Sequence, residues 1–513
     1  MLATGVLAAR NQENALRTPR RPVLLALGLA AAVALAGCAN GASSAGGADA
    51  VITVGSQNEP VNLDNTAGSG SGVTEAFNGN VYQGLFKLTD DGKVEPLLAT
   101  KYATSEDGLT YTFTLRDGVK FHSGAEFTSA DVKRSLERVT AAESKSARKS
   151  QLSVISAIET PDPHTVVVKL RTRSISLPYY LSYVWMYGPG VQDYRTAADG
   201  TGPYTLGAWK RGSSLSIERW SGYWGEQAKN KEVVFDYFTD ASALSNALLT
   251  NKVDIITNIQ SPDALSRLKA NKDYTINEGK STVKELLAFN DRVAPFDKPE
   301  VRKAVYSAID TKKLLNSIWG EYGTLIGSMV PPSDPWYEDL TKVNPHDIDL
   351  AKRELAAAGL PNGFAFTLDT PTYDPHPAVA EFVKSELAKI GVTVNIRPIS
   401  ADEWYSKVFK EHNFEATLQE HVNDRDVVWY GNPDFYWGYR NPQVTQWVEE
   451  AEQAARPEDQ VAKLKLVNEQ IAKDAASAWL YLTPQIVVAA GNLGGYTING
   501  LNSTFYTYNI VKK

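Results

Sequence analysis

The side chains of this 513-residue chain that could do catalytic chemistry do not have the spacings that catalysis needs. Neither the G-x-S-x-G turn of serine hydrolases nor the H-E-x-x-H helix of zinc proteases occurs. The six histidines are never three or four residues apart. Gly279-Lys280-Ser281 copies the end of a phosphate-binding loop, but Tyr274 stands where that loop needs its first glycine. We therefore predict no catalytic residue, no metal site and no cofactor, and we do not expect an enzyme.

The single cysteine, Cys38, suggests a different kind of chemistry. It follows an uncharged apolar run, 22–37, which is preceded by Arg17, Arg20 and Arg21 and ends in small residues. The run is shorter than the roughly 20 residues of a bilayer span, so it is typical of a secretory signal. The pattern resembles the lipobox of bacterial lipoproteins, which implies that Cys38 becomes the lipidated first residue of the mature protein. The alternative is a buried N-terminal helix with an incidental cysteine.

Composition agrees with the interpretation of an exported protein. The net charge is -7, from 52 basic and 59 acidic residues mixed along the chain, so we expect no nucleic-acid partner. A chain of this length can bury a large core without disulfides. Residues 39–50 are small, polar and glycine-rich, which indicates a flexible tether ahead of Val51.

The elements that must position any site alternate between strands and helices, which predicts an α/β protein of more than one lobe. Period-2 patterns predict strands at 51–57, 111–115, 166–170, 215–219, 284–289 and 392–397. Helical spacing predicts helices at 132–139, 242–250, 299–315, 348–358, 378–390 and 461–475. For the helix at 132–139, Thr128 is the predicted N-cap, with Asp131 three residues later.

Short motifs from Gly84 onward occur in an order that resembles a known family. They include Gly84-Leu-Phe86, Leu115-Arg-Asp-Gly-Val119, Phe121-His-Ser-Gly124, Gly200-Thr-Gly-Pro-Tyr204 and Ile390-Gly-Val392. Together they resemble the family 5 extracellular solute-binding proteins, the peptide-binding type that serves ABC importers. The resemblance extends from about Val51 to the C-terminus.

The resemblance implies an α/β, two-lobed periplasmic-binding-protein (Venus-flytrap) fold of class II type, with an extra domain inserted in lobe I. The expected boundaries are a lipoprotein signal peptide at 1–37 and a tether at 38–50. Lobe I would combine 51–75, 190–280 and 485–513. The inserted domain would be 76–189, and lobe II would be 281–484.

The resemblance also implies where a ligand binds. In peptide-binding members, an aspartate of lobe II pairs with the ligand's α-amine, and its counterpart here is Asp424. His421 stands where the family has a tryptophan, and Asn423 lies between them. Arg425 either receives a ligand carboxylate or holds a neighbouring aspartate, and His421 either donates to the ligand or packs in the core.

Two further places complete the expected site. Trp429 either lines the pocket or packs in the core, and the whole cluster around Asp424 has the alternative of being a solvated charged loop. On lobe I, the resemblance implies contacts from the loop that carries Glu59 and Val61.

The implied function is an extracytoplasmic substrate-binding lipoprotein, anchored to the cell membrane through Cys38. It would capture oligopeptides or dipeptides by lobe closure and deliver them to an ABC permease, most simply as a monomer. The first alternative keeps this role with a non-peptide solute: an oligosaccharide, an opine-like compound or a metal chelate. The second is a secreted hydrolase.

Overall fold

The computed structural model describes residues 47–68 and 70–513. The predicted signal peptide, Cys38 and most of the predicted tether lie outside the described residues. Within the described ranges, no helix combines the length and the apolar character that crossing a membrane requires.

The described residues form twenty strands, numbered in chain order. They are β1 (Val51–Ser56), β2 (Phe86–Leu88), β3 (Val94–Pro96), β4 (Ala99–Thr104), β5 (Thr110–Leu115), β6 (Ile155–Asp162), β7 (Thr165–Leu170), β8 (Tyr204–Lys210), β9 (Ser214–Arg219), β10 (Glu232–Tyr237), β11 (Ile255–Ile256), β12 (Tyr274–Gly279), β13 (Lys284–Phe289), β14 (Ala365–Pro371), β15 (Thr393–Ile399), β16 (Ala416–His421), β17 (Ser477–Leu482), β18 (Gln485–Ala490), β19 (Leu493–Gly494) and β20 (Val511–Lys512).

Thirteen α-helices accompany these strands in the described part of the chain. They are α1 (Ser71–Phe77), α2 (Ser129–Thr140), α3 (Lys149–Leu152), α4 (Leu177–Leu181), α5 (Ala241–Leu249), α6 (Pro262–Lys269), α7 (Pro299–Ala308), α8 (Thr311–Trp319), α9 (Ile348–Ala357), α10 (His376–Ala388), α11 (Ala401–Glu403), α12 (Pro442–Glu452) and α13 (Pro457–Lys473). A π-helical stretch continues α11 over Trp404–Lys410, and a 3-10 helix covers Asp426–Gly431.

The first large sheet has seven strands in the order β12-β18-β11-β1-β10-β9-β8. Strand β1 lies at its centre and pairs in parallel with both β10 and β11. Two hydrophobic clusters cover the sheet, one containing Ile52 and Val54 and the other containing Ile256 and Val488. This coverage explains the apolar character of the central strand.

The second large sheet has five strands in the order β15-β14-β16-β13-β17. Strand β13 runs antiparallel to β16 and β17, whereas β14 is parallel to β15 and β16. Every residue of β13 and β17 is buried, because the helices that pack against this sheet form a large hydrophobic core with it. The polar Lys284 and Glu285 at the start of β13 are therefore exceptional, and both belong to the site described below.

A four-stranded antiparallel sheet, β4-β5-β7-β6, forms a third core with α2. Alternate residues of β5 are buried, which matches the period of a strand with one covered face. The predicted cap of α2 is confirmed: Thr128 and Asp131 form a reciprocal capping box. The segment that contains this sheet leaves the seven-stranded sheet after β1 and rejoins it at β8.

The chain passes between the two large sheets twice, once from β12 to β13 and once from β17 to β18. These two connections, residues 280–283 and 483–484, are called the crossing segments below. Because both connections are short, changes in the backbone angles of a few residues there can move one lobe relative to the other.

One predicted helix is wrong. The pattern at 299–315 predicts a single helix, but the structure contains α7 and α8, separated at Ile309 and Asp310. Ile309 has extended backbone angles, and the carboxylate of Asp310 accepts a hydrogen bond from the Lys313 amide at 2.9 Å. The aspartate side chain thus caps a new helix instead of continuing the old one.

Candidate functional site

Three adjoining cavities form one cleft, with the five-stranded-sheet part of the chain on one side and the seven-stranded sheet or the segment carrying α3 and α4 on the other. The first, about 540 Å³, lies against the crossing segments and is called the crossing cavity. The middle cavity, about 250 Å³, shares Ser71, Val422 and Ser503 with it. The third, about 310 Å³, shares Ala147 and Arg148 with the middle cavity and is called the arginine cavity.

The loop that follows β16 forms one wall of the cleft, and a buried ion pair holds it in place. Nζ of Lys284 lies 3.1 Å from Oδ2 of Asp426 and also donates to the carbonyl of Asn423. Burial acts to raise the pKa of Asp426, but the charge of Lys284 and the hydrogen bond from His421 outweigh it and keep that pKa below its ordinary value. The pair therefore fixes the backbone on both sides of Asp424.

Asp424 lines the arginine cavity, where three parts of the chain meet. Its carboxylate accepts hydrogen bonds from the hydroxyl of Tyr179 and, at 2.9 Å, from Nδ2 of Asn502. Its amide donates to Oδ1 of Asn502 at 3.1 Å. Tyr179 lies on α4 and Asn502 near the C-terminus, so this carboxylate is oriented by contacts that the local sequence does not reveal.

Arg148 and Arg425 line the arginine cavity together with the acids Asp424, Asp426 and Glu452. The guanidinium of Arg425 lies 3.8 Å from the ring centre of Tyr179 and 5.2 Å from that of Trp336. That of Arg148 lies 4.3 Å from the ring centre of Tyr183. Within the described residues no side-chain hydrogen bond engages either guanidinium, so their planar donor groups are available to a carboxylate.

Two of the acids around this cavity have raised pKa values. Asp334 accepts a hydrogen bond from the amide of Arg425 at 3.2 Å, and burial together with the charge of Asp424 raises its pKa to about 7. Glu452, at the end of α12, accepts from the hydroxyls of Ser174, of Ser176 at 2.7 Å and of Tyr180 at 3.3 Å. These contacts join α12 to the segment that carries α4, and burial raises the pKa of Glu452.

The structure brings four of the predicted site residues to the cleft. Asp424, Arg425 and Trp429 line the arginine cavity, and Asn423 lines both that cavity and the middle one. Trp429 also stacks on Phe435, with ring centres 5.0 Å apart. Trp429 therefore lines the cavity and also packs against an aromatic neighbour, so each of its two predicted roles describes part of its environment.

His421 lies behind the cleft, outside the lining of all three cavities. Its Nε2 is 3.0 Å from the hydroxyl of Tyr436, and its Nδ1 is 3.5 Å from Oδ2 of Asp426. It packs against Trp437, with ring centres 5.2 Å apart. This placement matches the alternative of a packed histidine. Successive side chains of a strand point to opposite faces, and the preceding residue, Glu420, faces the crossing cavity.

Glu59 and Val61 also lie outside the cleft lining. The Glu59 carboxylate accepts a hydrogen bond from the Gly212 amide at 2.8 Å, and Val61 is 70% exposed. Their neighbour Asn58 is the residue of this loop that reaches the crossing cavity. The turn after β1 carries the later residues toward the hairpin between β8 and β9.

Sequence reasoning missed Arg148, Tyr179 and Asn502. None of them lies in a motif, and each reaches the cleft through contacts with distant parts of the chain. In the described part of the chain, no group of three or more histidine, cysteine, aspartate or glutamate side chains is arranged to hold a metal ion.

Comparisons with known proteins agree with this architecture. The model of the bacterial extracellular solute-binding proteins, family 5 (middle), matches residues 93–437, about two thirds of the chain. The glutathione-binding protein GsiB of Salmonella paratyphi A is 28% identical, and the alignment covers 93% of this chain and 96% of GsiB.

Solved structures have the same fold. The binding protein AgaA of A. tumefaciens, in complex with agropinic acid, has a TM-score of 0.76 at 26% identity, over 90% of this chain and 99% of its own. The oligopeptide-binding protein AppA of Bacillus subtilis, in complex with a nonapeptide, has a TM-score of 0.78 at 19% identity, over 91% and 100%. The predicted two-lobed α/β fold of class II periplasmic binding proteins is thus confirmed.

Proposed function

Because this chain belongs to the bacterial extracellular solute-binding proteins of family 5, which serve ABC importers, we propose that it captures short peptides in the cleft between its lobes. One observation carries the proposal. The oriented carboxylate of Asp424 lines a cavity of about 310 Å³ together with two guanidiniums that no side-chain hydrogen bond engages within the described residues. Such a cavity is complementary to a zwitterion.

Asp424 is the proposed partner of the peptide's amine. An ammonium that is enclosed between two lobes loses its hydration, so it must be paired with a charge and hydrogen-bonded. Tyr179 and Asn502 already orient the carboxylate, and a carboxylate has acceptor sites for more than two donors. Binding an ammonium there requires little reorganisation.

Arg148 and Arg425 are the proposed partners of a peptide carboxylate. Aromatic rings hold both guanidiniums flat, which leaves their edges for bidentate hydrogen bonds. The relative GsiB, named a glutathione-binding protein, and AppA, solved with a nonapeptide, support a peptide as the ligand.

An opine-like organic acid is the second candidate. AgaA, the 26% identical neighbour, is solved with agropinic acid, and two arginines suit a ligand that is richer in carboxylate than in amine. Such a ligand would depend on Arg148 more than on Asp424.

Calorimetric titration with a tripeptide library and with the same peptides N-acetylated distinguishes the two candidates. For a peptide receptor, acetylation and Asp424→Asn should each weaken binding at least about tenfold, the scale of a lost charge-assisted hydrogen bond. Asp402→Asn, at an exposed position of α11, is the matched control and should bind as the wild type does. Unchanged affinity after acetylation would refute the amine contact, and binding of opines alone would favour the second candidate.

The remaining expectations concern how the receptor works in the cell. We propose that Cys38 carries a lipid anchor to the cell membrane, that the receptor is a monomer, and that an ABC permease recognises its closed form. We also propose lobe boundaries that follow the sheets, with 51–75, 190–280 and 485–513 in lobe I, 76–189 inserted in it, and 281–484 in lobe II. Membership of the seven-stranded and five-stranded sheets supports this division.

A further inference from the structure

The crossing cavity carries acids on both of its walls. Its lining includes Glu75 from α1, on the side of the seven-stranded sheet, and Glu420 from β16, on the side of the five-stranded sheet. Asp374 adds a third acid at an exposed position. Among the described residues, no lysine or arginine lines this cavity, in contrast to the arginine cavity.

Glu75 is 5% exposed and is held in place by neutral groups only. Its carboxylate accepts hydrogen bonds from the hydroxyls of Ser56 at 2.6 Å and of Thr257 at 2.5 Å. Burial raises its pKa in spite of these hydrogen bonds. The position therefore has a buried carboxyl group and no cation to compensate its charge.

On the opposite wall, a row of polar side chains extends across three strands. Glu285 of β13 is paired directly with Glu420 of β16 on one side and with Tyr481 of β17 on the other. Residues directly opposite each other on adjacent strands project from the same face of a sheet, so all three side chains point to the cavity side. Glu420 accepts from the Thr483 hydroxyl at 3.0 Å.

The inner members of this row, Glu285 and Tyr481, have no hydrogen-bond partners for their side chains among the residues that the structure describes. Both carboxylate oxygens of Glu285 and the hydroxyl of Tyr481 are buried and unpaired, and both residues are 0% exposed. The nearest basic group is His376, whose Nε2 lies 3.5 Å from Oε2 of Glu285. Burial lowers the pKa of His376 to about 4, so this imidazole is neutral near pH 7 and supplies no positive charge.

Burial raises the pKa of Glu285 well above its ordinary value and that of Glu420 to about 6, so ionising these carboxyl groups is costly unless a cation lies beside them. Carboxyl groups perturbed in this way cluster at functional sites. We propose that the crossing cavity receives a cationic group of the solute, the ammonium or guanidinium of a basic side chain, between Glu420 and Glu75. The inference rests on the proposed function and adds to it the class of solute, a short peptide that carries a basic side chain. Asp424 and the arginines hold the peptide's ends, and the crossing cavity selects the side chain.

The test uses tripeptides in which lysine, norleucine or glutamate occupies each position in turn, titrated calorimetrically into the full-length receptor. At one position or more, the lysine peptide should bind at least about tenfold more tightly than the norleucine peptide, which lacks only the charge. Glu420→Gln should reduce that ratio to near one. Glu75→Gln is a second variant of the same site, and Glu411→Gln, at an exposed position, is the matched control.

The two proposals fail in different ways. Asp424→Asn should weaken all peptides alike and keep the preference for lysine. Equal binding of lysine and norleucine at every position, or an unchanged preference in both glutamate variants, would overturn the acidic-cavity inference and leave the peptide proposal intact.

If no tripeptide binds, the peptide proposal fails and agmatine becomes the probe, because it is cationic and has no carboxylate. Agmatine should then raise the melting temperature of the wild type and of Glu411→Gln but not that of Glu420→Gln. No shift for the wild type would overturn the inference.

Discussion

The ion pair between Lys284 and Asp426 permits the sharpest prediction from this structure. Nζ and Oδ2 are 3.1 Å apart, and the exposed fractions of the two side chains are 0% and 4%. At that distance and an effective dielectric constant of about 20, the Coulomb attraction is roughly 5 kcal/mol. Breaking a buried pair by removing one partner typically costs about 3–5 kcal/mol, because the other charge stays buried and uncompensated.

Lys284→Met keeps the length and the apolar stem of the side chain and removes its charge. We expect it to lower the free energy of unfolding by about 3–4 kcal/mol. The lower part of the range applies because Nδ1 of His421, 3.5 Å from Oδ2 of Asp426, remains beside the carboxylate as a polar neighbour. The variant should also weaken ligand binding, since Lys284 donates to the Asn423 carbonyl next to Asp424.

Urea unfolding at pH 7, followed by tryptophan fluorescence, measures this loss. Lys352→Met, at an exposed position of α9, is the matched control and should stay within about 0.5 kcal/mol of the wild type. Adding Asp426→Asn to Lys284→Met should recover part of the loss, because no unpaired charge is then buried. A Lys284→Met variant as stable as the control, or a double variant weaker than the single one, would refute the argument.

The sign of the pH dependence gives a second check on the same pair. The folded-state pKa of Asp426 is below its ordinary value of 3.8, so the pair stabilises the fold above that pH. Its contribution is lost as the pH falls through the lowered pKa. The stability difference between wild type and Lys284→Met should therefore be largest near neutrality and shrink in acid.

Three other perturbations test separate parts of the molecule. Cys38→Ser should release the exported protein into the medium, as measured by fractionation, and a variant that stays with the membrane would contradict the anchor. The pKa of Asp334 rises from 3.8 to about 7 on folding, so its contribution to stability is full below pH 3.8 and is lost as the pH rises toward 7. The melting temperature of the wild type relative to Asp334→Asn should fall over that range, and a relative rise would contradict the burial argument. Glu452→Ala removes the acceptor for three hydroxyls between α12 and the segment carrying α4, so these two parts of the chain should separate more easily. Small-angle scattering should then give a larger radius of gyration, and calorimetry should show a ligand affinity weaker by about tenfold or more. Glu449→Ala, exposed on the same helix, should change neither quantity.

Much of the secondary structure could be predicted from local patterns. The alternation at 111–115 corresponds to β5, and Thr128 and Asp131 form the predicted capping box at the start of α2. A local pattern failed at 299–315, where apolar spacing continues across Asp310 and the choice between continuing a helix and capping a new one depends on tertiary packing. Periodicity reports which face is apolar, and it does not report whether the backbone stays helical.

Part of the candidate site could also be predicted from the sequence, and part could not. The stretch around Asp424 could be located from the order of motifs along the chain, because those motifs belong to elements whose sequence order the fold preserves. The partners of Asp424 could not be located, because Tyr179 is 245 residues away and Asn502 is 78 residues away. Hydrogen bonds over such separations leave no spacing to read in one sequence.

By itself, the sequence determined the α/β class, the family resemblance and the position of Asp424 along the chain, and it predicts an export signal over residues 1–37. Each of these depends on the types and spacing of residues that are close together in the sequence, so a local pattern is enough to reveal it. Only the tertiary structure decided that Arg148 joins Arg425 in one cavity, that His421 lies behind the cleft, and that Glu285 stands beside Glu420. Those relations depend on which strands pair and where the lobes meet, and the free energy of burial that sets them is a property of the whole packed chain.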